Sequence, residues 1–244
     1  MLEVKLLNIP FTSFKNLDEF RNLILDFLHR DKLCMIFTPN AEMLALAKDD
    51  LDLKKILEET DLNLPDGVGV LLLARRKGVE MSRFPGVEAL LEILTFAEEL
   101  GVPVFFLGAK EEVVNSMVER LKLKFPNLKI AGFHDGYFSE SKEEEIIEEI
   151  NNSGAKILFV ALGVPKQEYW VFKNKEKLKV NIAMGVGGSF DVLSGKKKRA
   201  PLIFRKLSLE WLYRLMQEPK RLIERFPNLV KFFLIYLFYG EKEL

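Results

Sequence analysis

The feature that most limits the fold is the alternation, in the second half of the chain, of short apolar runs with longer segments of helical spacing. Residues 102–107, 128–133, 156–162 and 181–184 are runs of strand length, and residues 111–124 and 141–152 and a segment opening at 163–168 separate them. A strand-to-strand spacing of roughly 25 residues leaves room for one helix per crossover. The expected fold is therefore α/β, with a mostly parallel, Rossmann-like sheet flanked by helices on both faces. In such sheets ligands bind beyond the carboxyl ends of the strands. That rule selects the loops at 38–40, 65–67, 108–110, 134–137, 163–168 and 185–191, and with them Gly108, Gly136, Gly163 and Gly187 as candidate substrate-binding positions.

The first half is less regular. Residues 2–9 read as one weak strand, and Leu17, Phe20, Leu23, Ile24, Phe27 and Leu28 recur at helical spacing across 16–30. A buried-type strand at 33–37 ends at Thr38-Pro39-Asn40, where Thr38 is an expected N-cap and Pro39 an expected first helical residue. Helices are expected to about residue 48, over 51–60, over 68–77 and over 87–100, with a short strand or turn at 62–64. Ser141 with Glu144 three residues later reads as a capping box.

Charge divides the 244-residue chain. Its net charge is zero, but residues 1–195 hold 24 Lys+Arg against 31 Asp+Glu and residues 196–244 hold 12 against 5. We therefore expect an α/β body over 1–195 and a basic helical appendage over 196–244. In the appendage Trp211, Leu212 and Leu215 interleave with Arg214, and Leu222, Ile223 and Phe226 with Arg221 and Arg225. That pattern suits a helix lying on anionic lipid, packing on the body, or a dimer interface. Ser208 is an expected cap and Pro219 an expected helix start, with Pro227 interrupting before the apolar run at 232–239. That run is far short of the ~20 residues a spanning helix needs. The single cysteine, Cys34, fits a reducing compartment, and the amino-terminal residues do not read as a signal peptide, so a cytoplasmic location is expected.

No dinucleotide fingerprint, Walker loop or metal-protease motif is present, which disfavours an NAD-dependent oxidoreductase. His29 and His134 lack metal-ligand spacing, and Asp50-Leu51-Asp52 reads as a solvated pair between helix ends, so neither metal nor cofactor is expected. Asp66, in Pro-Asp-Gly at a strand end, is either a helix cap or a general base for an acceptor hydroxyl. Thr38, Asn40 and Gln167 can supply neutral hydrogen bonds to a polyhydroxylated ligand, and Arg83 can pair with phosphate or with a surface acid. Gln167 and Glu168 lie where a helix start would face the same sheet edge. Gly185-Val-Gly-Gly188, with Asp191 and then four consecutive cations, is either an anion-holding turn or a tight turn before a solvated linker.

Taken together, Thr38-Pro-Asn-Ala-Glu42, Asp66-Gly67, Arg83-Phe-Pro-Gly86, Phe106-Leu-Gly108, Asp135-Gly-Tyr-Phe138, Leu162-Gly-Val-Pro-Lys-Gln-Glu168, Gly185-Val-Gly-Gly188, Arg199-Ala-Pro201 and Leu209-Glu-Trp-Leu-Tyr-Arg214 resemble the WecG/TagA/CpsF glycosyltransferases of bacteria. The resemblance implies an inverting, metal-independent UDP-sugar hexosyltransferase. Its nearest branch transfers N-acetylmannosamine to undecaprenyl-diphosphate-linked N-acetylglucosamine in teichoic acid assembly, and other branches transfer N-acetylmannosaminuronic acid or glucose. It further implies Asp66 as general base, with Thr38, Asn40, Arg83 and Gln167 lining the pocket. Tyr137 and Asp191 become candidates for uracil and ribose, and Arg214 and Arg221 belong to a tail closing over the site at the inner membrane face. The expected partners are a UDP-sugar, a lipid-diphosphate acceptor and a membrane surface, with homo-oligomerisation off the membrane and no nucleic acid. The family's Pro-x-Arg-x-x-Arg is met at Pro219 and Arg221, but Glu224 then stands where an arginine is usual and Arg225 follows. A one-residue shift turns a helical side chain by about 100°. The rival from another class is a non-catalytic nucleotide- or lipid-binding module using the same sheet edge.

Overall fold

The structure is a computed structural model, and it describes residues 1–197, 200, 201, 204, 213 and 219–238, excepting the side chains of 219–225. The chain groups into two compact units: Met1–Lys15, Thr38–Pro85 and Arg199–Leu244 form one, and Asn16–Phe37 and Gly86–Lys198 form the other.

The first unit opens with strands β1 (Leu2–Leu6) and β2 (Ile9–Ser13). The expected single strand is thus an antiparallel hairpin, with Leu6 opposite Ile9. Leu7 and Asn8 make its two-residue loop at φ +55° and +68°. Such a loop matches the twist of the flanking strands, but it usually carries Asn-Gly or Asp-Gly. The Leu-Asn pair hides that signal, so alternation alone does not reveal β2. Helices α2 (Ala41–Ala47) and α3 (Leu51–Glu59), strand β4 (Leu62–Asn63), helix α4 (Val68–Arg76) and a C-terminal helix numbered α10 below (Pro219–Phe238) complete the unit.

One cap and one helix interruption are corrected. The N-cap of α2 is Asn40, not Thr38, and its Oδ1 accepts the Met43 N–H at 3.1 Å. Asparagine is the better N-cap of the two. Pro227 does not interrupt α10, which is continuous through it. Interior proline costs about 3 kcal/mol, but here the helix packs on α2, burying Phe232 and Ile235. Tertiary packing of one face is what usually supports a helix in a protein.

The second unit holds helix α1 (Leu17–Leu28), strand β3 (Cys34–Phe37), helix α5 (Gly86–Leu100), β5 (Val104–Gly108), α6 (Glu111–Lys124), β6 (Ile130–His134), α7 (Glu143–Asn152), β7 (Ile157–Ala161), α8 (Lys166–Asn174), β8 (Ile182–Gly185) and α9 (Ser189–Leu193). Its five strands lie in the order β3-β8-β7-β5-β6, all parallel. Every residue of β3, β5, β7 and β8 is buried, as parallel strands covered on both faces require. Apolar runs rather than alternation are therefore the right strand signal here. The expected α/β class is borne out. The capping box at Ser141 is not: Glu140–Lys142 form a 3₁₀ turn, Ser141 Oγ lies 2.7 Å from Ser139 Oγ, and α7 begins after Lys142. A capping side chain needs an extended backbone, which a residue inside a 3₁₀ turn lacks.

The strand order places a topological switch between β5 and β7. From β5 the chain moves outward to β6, then returns across β5 to β7 and continues to β8, which pairs with the earlier strand β3. Loops leaving the sheet at such a point diverge and open a crevice.

Candidate active site

In the first unit the loop after β4 carries Pro65, Asp66 and Gly67. Gly67 has φ +83° and ψ 160°, a backbone state open to glycine but costly for other residues, and it occupies the N-cap of α4. Asp66 therefore stands one residue outside the helix and is not its N-cap residue. The loop is pinned on both sides: the Asp66 N–H donates to the Pro39 carbonyl at 3.4 Å, and the Phe84 N–H donates to the Pro65 carbonyl at 2.9 Å. The second bond brings in the 82–85 segment, itself held where the Ser82 N–H donates to Ser13 Oγ at 3.0 Å. The result is an ion pair between Arg83 Nε and Asp66 Oδ1 at 3.5 Å, with the two side chains 15% and 28% exposed. A carboxylate with that much exposure, held by a guanidinium, is oriented and still reachable by a solute.

Asn40 is drawn to the same place. A Cβ on Gly67 would lie 3.9 Å from Asn40 Cβ, so the start of α2 and the start of α4 are adjacent. Asn40 commits its Oδ1 to capping α2. Thr38 is half-buried in the extended segment before α2. Thr38, Asn40, Asp66 and Arg83 thus belong to one unit, and Asn40, Asp66 and Arg83 are in close register around one loop.

Helix α10 reaches this neighbourhood within the same unit. A Cβ on Gly69 would lie 2.7 Å from Ala41 Cβ and 2.9 Å from the Phe232 ring, so only glycine lets the first turn of α4, the start of α2 and α10 meet. Arg76 at the end of α4 donates to the Tyr236 carbonyl and lies over its ring at 5.3 Å, and Lys231 pairs with Asp49. Arg214 lies outside the described residues, and Arg221 falls in α10 with its side chain outside them. Clefts of about 850 and 360 Å³ lie by the C-terminal end of α2, and Asp66 lines neither.

In the second unit two of the glycines selected from the sequence, Gly108 and Gly136, meet at the switch point. Gly108 has φ +129°, and a Cβ there would lie 2.5 Å from the Ala161 backbone, so β5 can leave the sheet beside β7 only as glycine. The Ala109 N–H donates to the Ala161 carbonyl at 3.0 Å, and the Gly136 N–H to the Ala109 carbonyl at 2.8 Å. A Cβ on Gly136 would lie 3.0 Å from Gly108 Cα and 2.9 Å from Leu162. Three loops therefore converge closely, backbone against backbone at Gly108, Ala109 and Gly136, with the Leu162 side chain beside them. Tyr137, at the rim, is 76% exposed, and its N–H is held by Asp135 Oδ1 at 2.7 Å. A fixed backbone with a free ring presents a face on which a base can stack.

Gly163 opens α8 by accepting the Gln167 N–H at 2.9 Å. Gln167 itself is buried. Its Oε1 accepts the Gly187 N–H at 2.9 Å, and its Nε2 donates to Glu168 Oε1 at 2.8 Å. It therefore ties the 163–168 turn to the 185–188 turn, and one of its two amide N–H groups is used in doing so. Asp191 lies in α9, with its carboxylate 3.3 Å from Lys197 Nζ and its carbonyl accepting the Lys197 N–H at 3.0 Å. Lys196 approaches Glu112 at 3.7 Å. The first two cations after the turn thus neutralise nearby acids of the same unit, while Lys198 and Arg199 lie outside the described residues.

Sequence reading missed the burial of Glu168. Its side chain is fully enclosed, and burial, set against hydrogen bonds from Gln167 and its own backbone N–H, pushes the carboxyl up from 4.5 to about 7. The available signal was an acid placed among residues that must face a parallel sheet. Asp50 proves to be the N-cap of α3, accepting the Leu53 N–H at 3.0 Å.

Comparison with known proteins accounts for this arrangement. The model of the glycosyl transferase WecG/TagA/CpsF family matches residues 4–243. The chain is 37% identical over 196 residues to the N-acetylglucosaminyldiphosphoundecaprenol N-acetyl-beta-D-mannosaminyltransferase of Bacillus spizizenii, covering 80% of this chain and 76% of that protein. It is 34% identical over 220 residues to the protein of the same name from Bacillus subtilis, covering 88% and 83%. A match along almost the whole chain, with the parallel sheet and the glycine-lined switch point in place, makes this protein a member of the WecG/TagA/CpsF family of glycosyl transferases.

Proposed function

We propose that the chain moves N-acetylmannosamine from its UDP conjugate to undecaprenyl-diphosphate-linked N-acetylglucosamine, with inversion at the anomeric carbon. The observation that carries the chemistry is Asp66: an accessible carboxylate just outside a helix start, oriented by Arg83 at 3.5 Å. The names of the two Bacillus relatives support this donor and acceptor over N-acetylmannosaminuronic acid or glucose.

In this reading the Asp66 carboxylate takes the proton of the acceptor hydroxyl as its oxygen attacks the anomeric carbon. The bond from that carbon to the UDP oxygen breaks, and its electron pair leaves with the diphosphate. Arg83 holds the carboxylate in place. Thr38 and the Asn40 amide offer hydrogen bonds to sugar hydroxyls, and the backbone at Gly108, Gly136, Gly163 and Gly187 forms the floor for the nucleotide. Tyr137 stacks on uracil and Asp191 serves the ribose. Arg214 and Arg221, from the 196–244 appendage, meet the developing charge of the diphosphate, where guanidinium pairs are most effective. Residues 1–195 act as the catalytic body and the appendage completes the site.

A lipid-linked acceptor calls for contact with the bilayer. Among the described residues no helix is long and apolar enough to cross a membrane. Helix α10 instead has two apolar sides: Phe232 and Ile235 are buried, while Phe226, Val230, Phe233, Leu234, Leu237 and Phe238 are exposed. Spacings of three and four residues put the exposed set on one stripe. We assign that stripe to the surface of the inner leaflet.

Two measurements test the reading. In a donor panel with a lipid-diphosphate acceptor, UDP-N-acetylmannosamine should turn over at least about tenfold faster than its uronic acid or UDP-glucose, since a pocket that hydrogen-bonds a hydroxyl rejects analogues with altered polar groups. Equal use of all three would sink the assignment of the sugar. Replacing Phe233 and Leu237 together by Glu should remove about 3–5 kcal/mol of apolar transfer. Cosedimentation with anionic vesicles should then fall at least tenfold, with UDP binding unchanged. Undiminished cosedimentation would rule out the stripe as the contact.

A further inference from the structure

Glu168 is an expensive residue to place where it is. It is enclosed, it carries an ionisable group, and its Oε2 has no hydrogen-bond partner among the described residues. Glutamates are almost never fully buried unless they are paired. Beyond its own backbone N–H, its carboxylate takes a bond from Gln167 Nε2, to Oε1 at 2.8 Å.

That bond decides how the Gln167 amide points. An amide can present its oxygen or its nitrogen to either side, and the two orientations nearly coincide in shape. Here one side is the Gly187 N–H, 2.9 Å from Oε1, and the other is the Glu168 carboxylate. Reversing the amide would set donor against donor at Gly187 and oxygen against oxygen at Glu168. The amide is also confined sterically: a Cβ on Gly185 would lie 2.8 Å from Gln167 Nε2. Glycine at 185 admits the amide, Glu168 orients it, and the oriented oxygen holds the Gly187 N–H, where φ is +51°.

We propose that Glu168 is a positioning residue for transfer: its buried carboxylate orients Gln167, and Gln167 in turn clamps the 185–188 turn in the shape that receives the nucleotide diphosphate. This rests on the reading of that turn as part of the donor site. Glu168 touches neither sugar nor phosphate. It acts through the amide, and a charged acceptor makes a stronger bond to that amide than a neutral one.

The strands packed against α8 bring no charged side chain to Glu168. Helix α8 packs on β3, β7 and β8, which carry no Asp, Glu, Lys, Arg or His. Cys34 is the one titratable side chain on those strands. On α8 itself, Lys166 sits over the Phe138 ring at 5.7 Å, Lys173 is paired with Glu143 at 2.7 Å, and Tyr169 is the remaining titratable group. The upward displacement of the Glu168 carboxyl comes from burial, with no charged partner contributing.

The test is UDP binding by titration calorimetry from pH 6 to 8.5, on the full chain and on Glu168→Gln, Glu168→Leu and Gln167→Ala, with kcat and KM for the donor alongside. Glu168→Gln keeps a neutral acceptor that does not titrate. Wild-type affinity should fall about fivefold from pH 8.5 to 6 as the charged acceptor becomes neutral, beyond any slope shared with Glu168→Gln. Glu168→Leu leaves the amide without its acceptor, and its affinity should be at least about tenfold weaker at pH 8, with the donor KM raised to match. The proposal is overturned if Glu168→Gln follows the wild-type pH profile, or if Glu168→Leu binds UDP as the wild type does. Should Glu168→Leu fail to fold, the comparison of wild type with Glu168→Gln still decides. Should Gln167→Ala bind UDP and transfer normally, the assignment of the turn to the donor falls, and the role of Glu168 with it. If Gln167→Ala is impaired and the Glu168 variants are not, only the role of Glu168 is lost.

Discussion

Asp66→Asn should reduce turnover by about 10²–10⁴-fold, the usual contribution of a positioned general base, and leave UDP affinity within about twofold of wild type. The substitution keeps the size of the side chain and a carbonyl oxygen for Arg83, now 3.5 Å from Asp66 Oδ1. It removes the negative charge, and with it both the ion pair to Arg83 and the ability to accept the acceptor's proton. The loop should survive, because its two anchoring bonds, Asp66 N–H to the Pro39 carbonyl and Phe84 N–H to the Pro65 carbonyl, are made by backbone. The decisive measurement is kcat with a lipid-linked acceptor beside a UDP titration on the same preparation. More than a tenth of wild-type turnover in the variant would exclude Asp66 as the base. Loss of UDP binding in parallel with turnover would make it a structural residue. The same pair of measurements separates a transferase from a module that merely binds nucleotide, since the second has no step for Asp66 to serve.

The second large effect is on stability and concerns Glu168. Its carboxyl is raised from 4.5 to about 7 in the folded state. Between those values the folded chain holds a proton that the unfolded chain has released, so unfolding becomes easier as pH rises. The contribution is fully present below 4.5 and is lost by the time pH passes 7. Each unit is worth 1.36 kcal/mol, so the total is about 3 kcal/mol. Glu168→Gln has no proton to release and should lack this slope. Urea unfolding of both proteins at pH 5 and pH 8 isolates the term, because every other titrating group cancels in the comparison. The wild type should lose about 2–3 kcal/mol more than the variant across that interval. Identical losses would mean that the carboxyl is not held neutral by its surroundings. A burial cost of this size, with one side-chain hydrogen bond to offset it, fits a residue kept for the shape it imposes on Gln167.

Both residues could be picked out of the sequence, but for different reasons and to different depths. Asp66 stands in Pro-Asp-Gly after a short strand, and the turn chemistry of those three residues restricts where the acid can sit. Whether it is the cap of α4 depends on which residue adopts the N-cap conformation. Gly67 does so at φ +83°, and no propensity for aspartate at caps predicts that. The same competition between neighbours gave α2 its cap at Asn40 rather than Thr38. The hairpin at 2–13 was hidden because Leu7 and Asn8 take positive φ without a glycine. Local pattern fails at these places because neighbouring side chains compete for one backbone position, and the surrounding packing picks the winner.

What the amino-acid order determines unaided is the layering. Apolar runs of four to seven residues, separated by helical segments of regular length, can bury both of their faces only as central parallel strands, and glycines at their carboxyl ends mark either a positive φ, as at Gly163 and Gly187, or close backbone approach, as at Gly108. What the tertiary structure decides is which polar groups those approaches leave facing one another. Gln167 and Gly187 are 20 residues apart and meet at 2.9 Å, and Asp66 and Arg83 meet across a loop that neither encodes alone. Such pairings depend on the order of strands in the sheet and on backbone anchors made elsewhere. Hydrogen bonds and ion pairs act over a few ångströms, and only folding brings these atoms within that range.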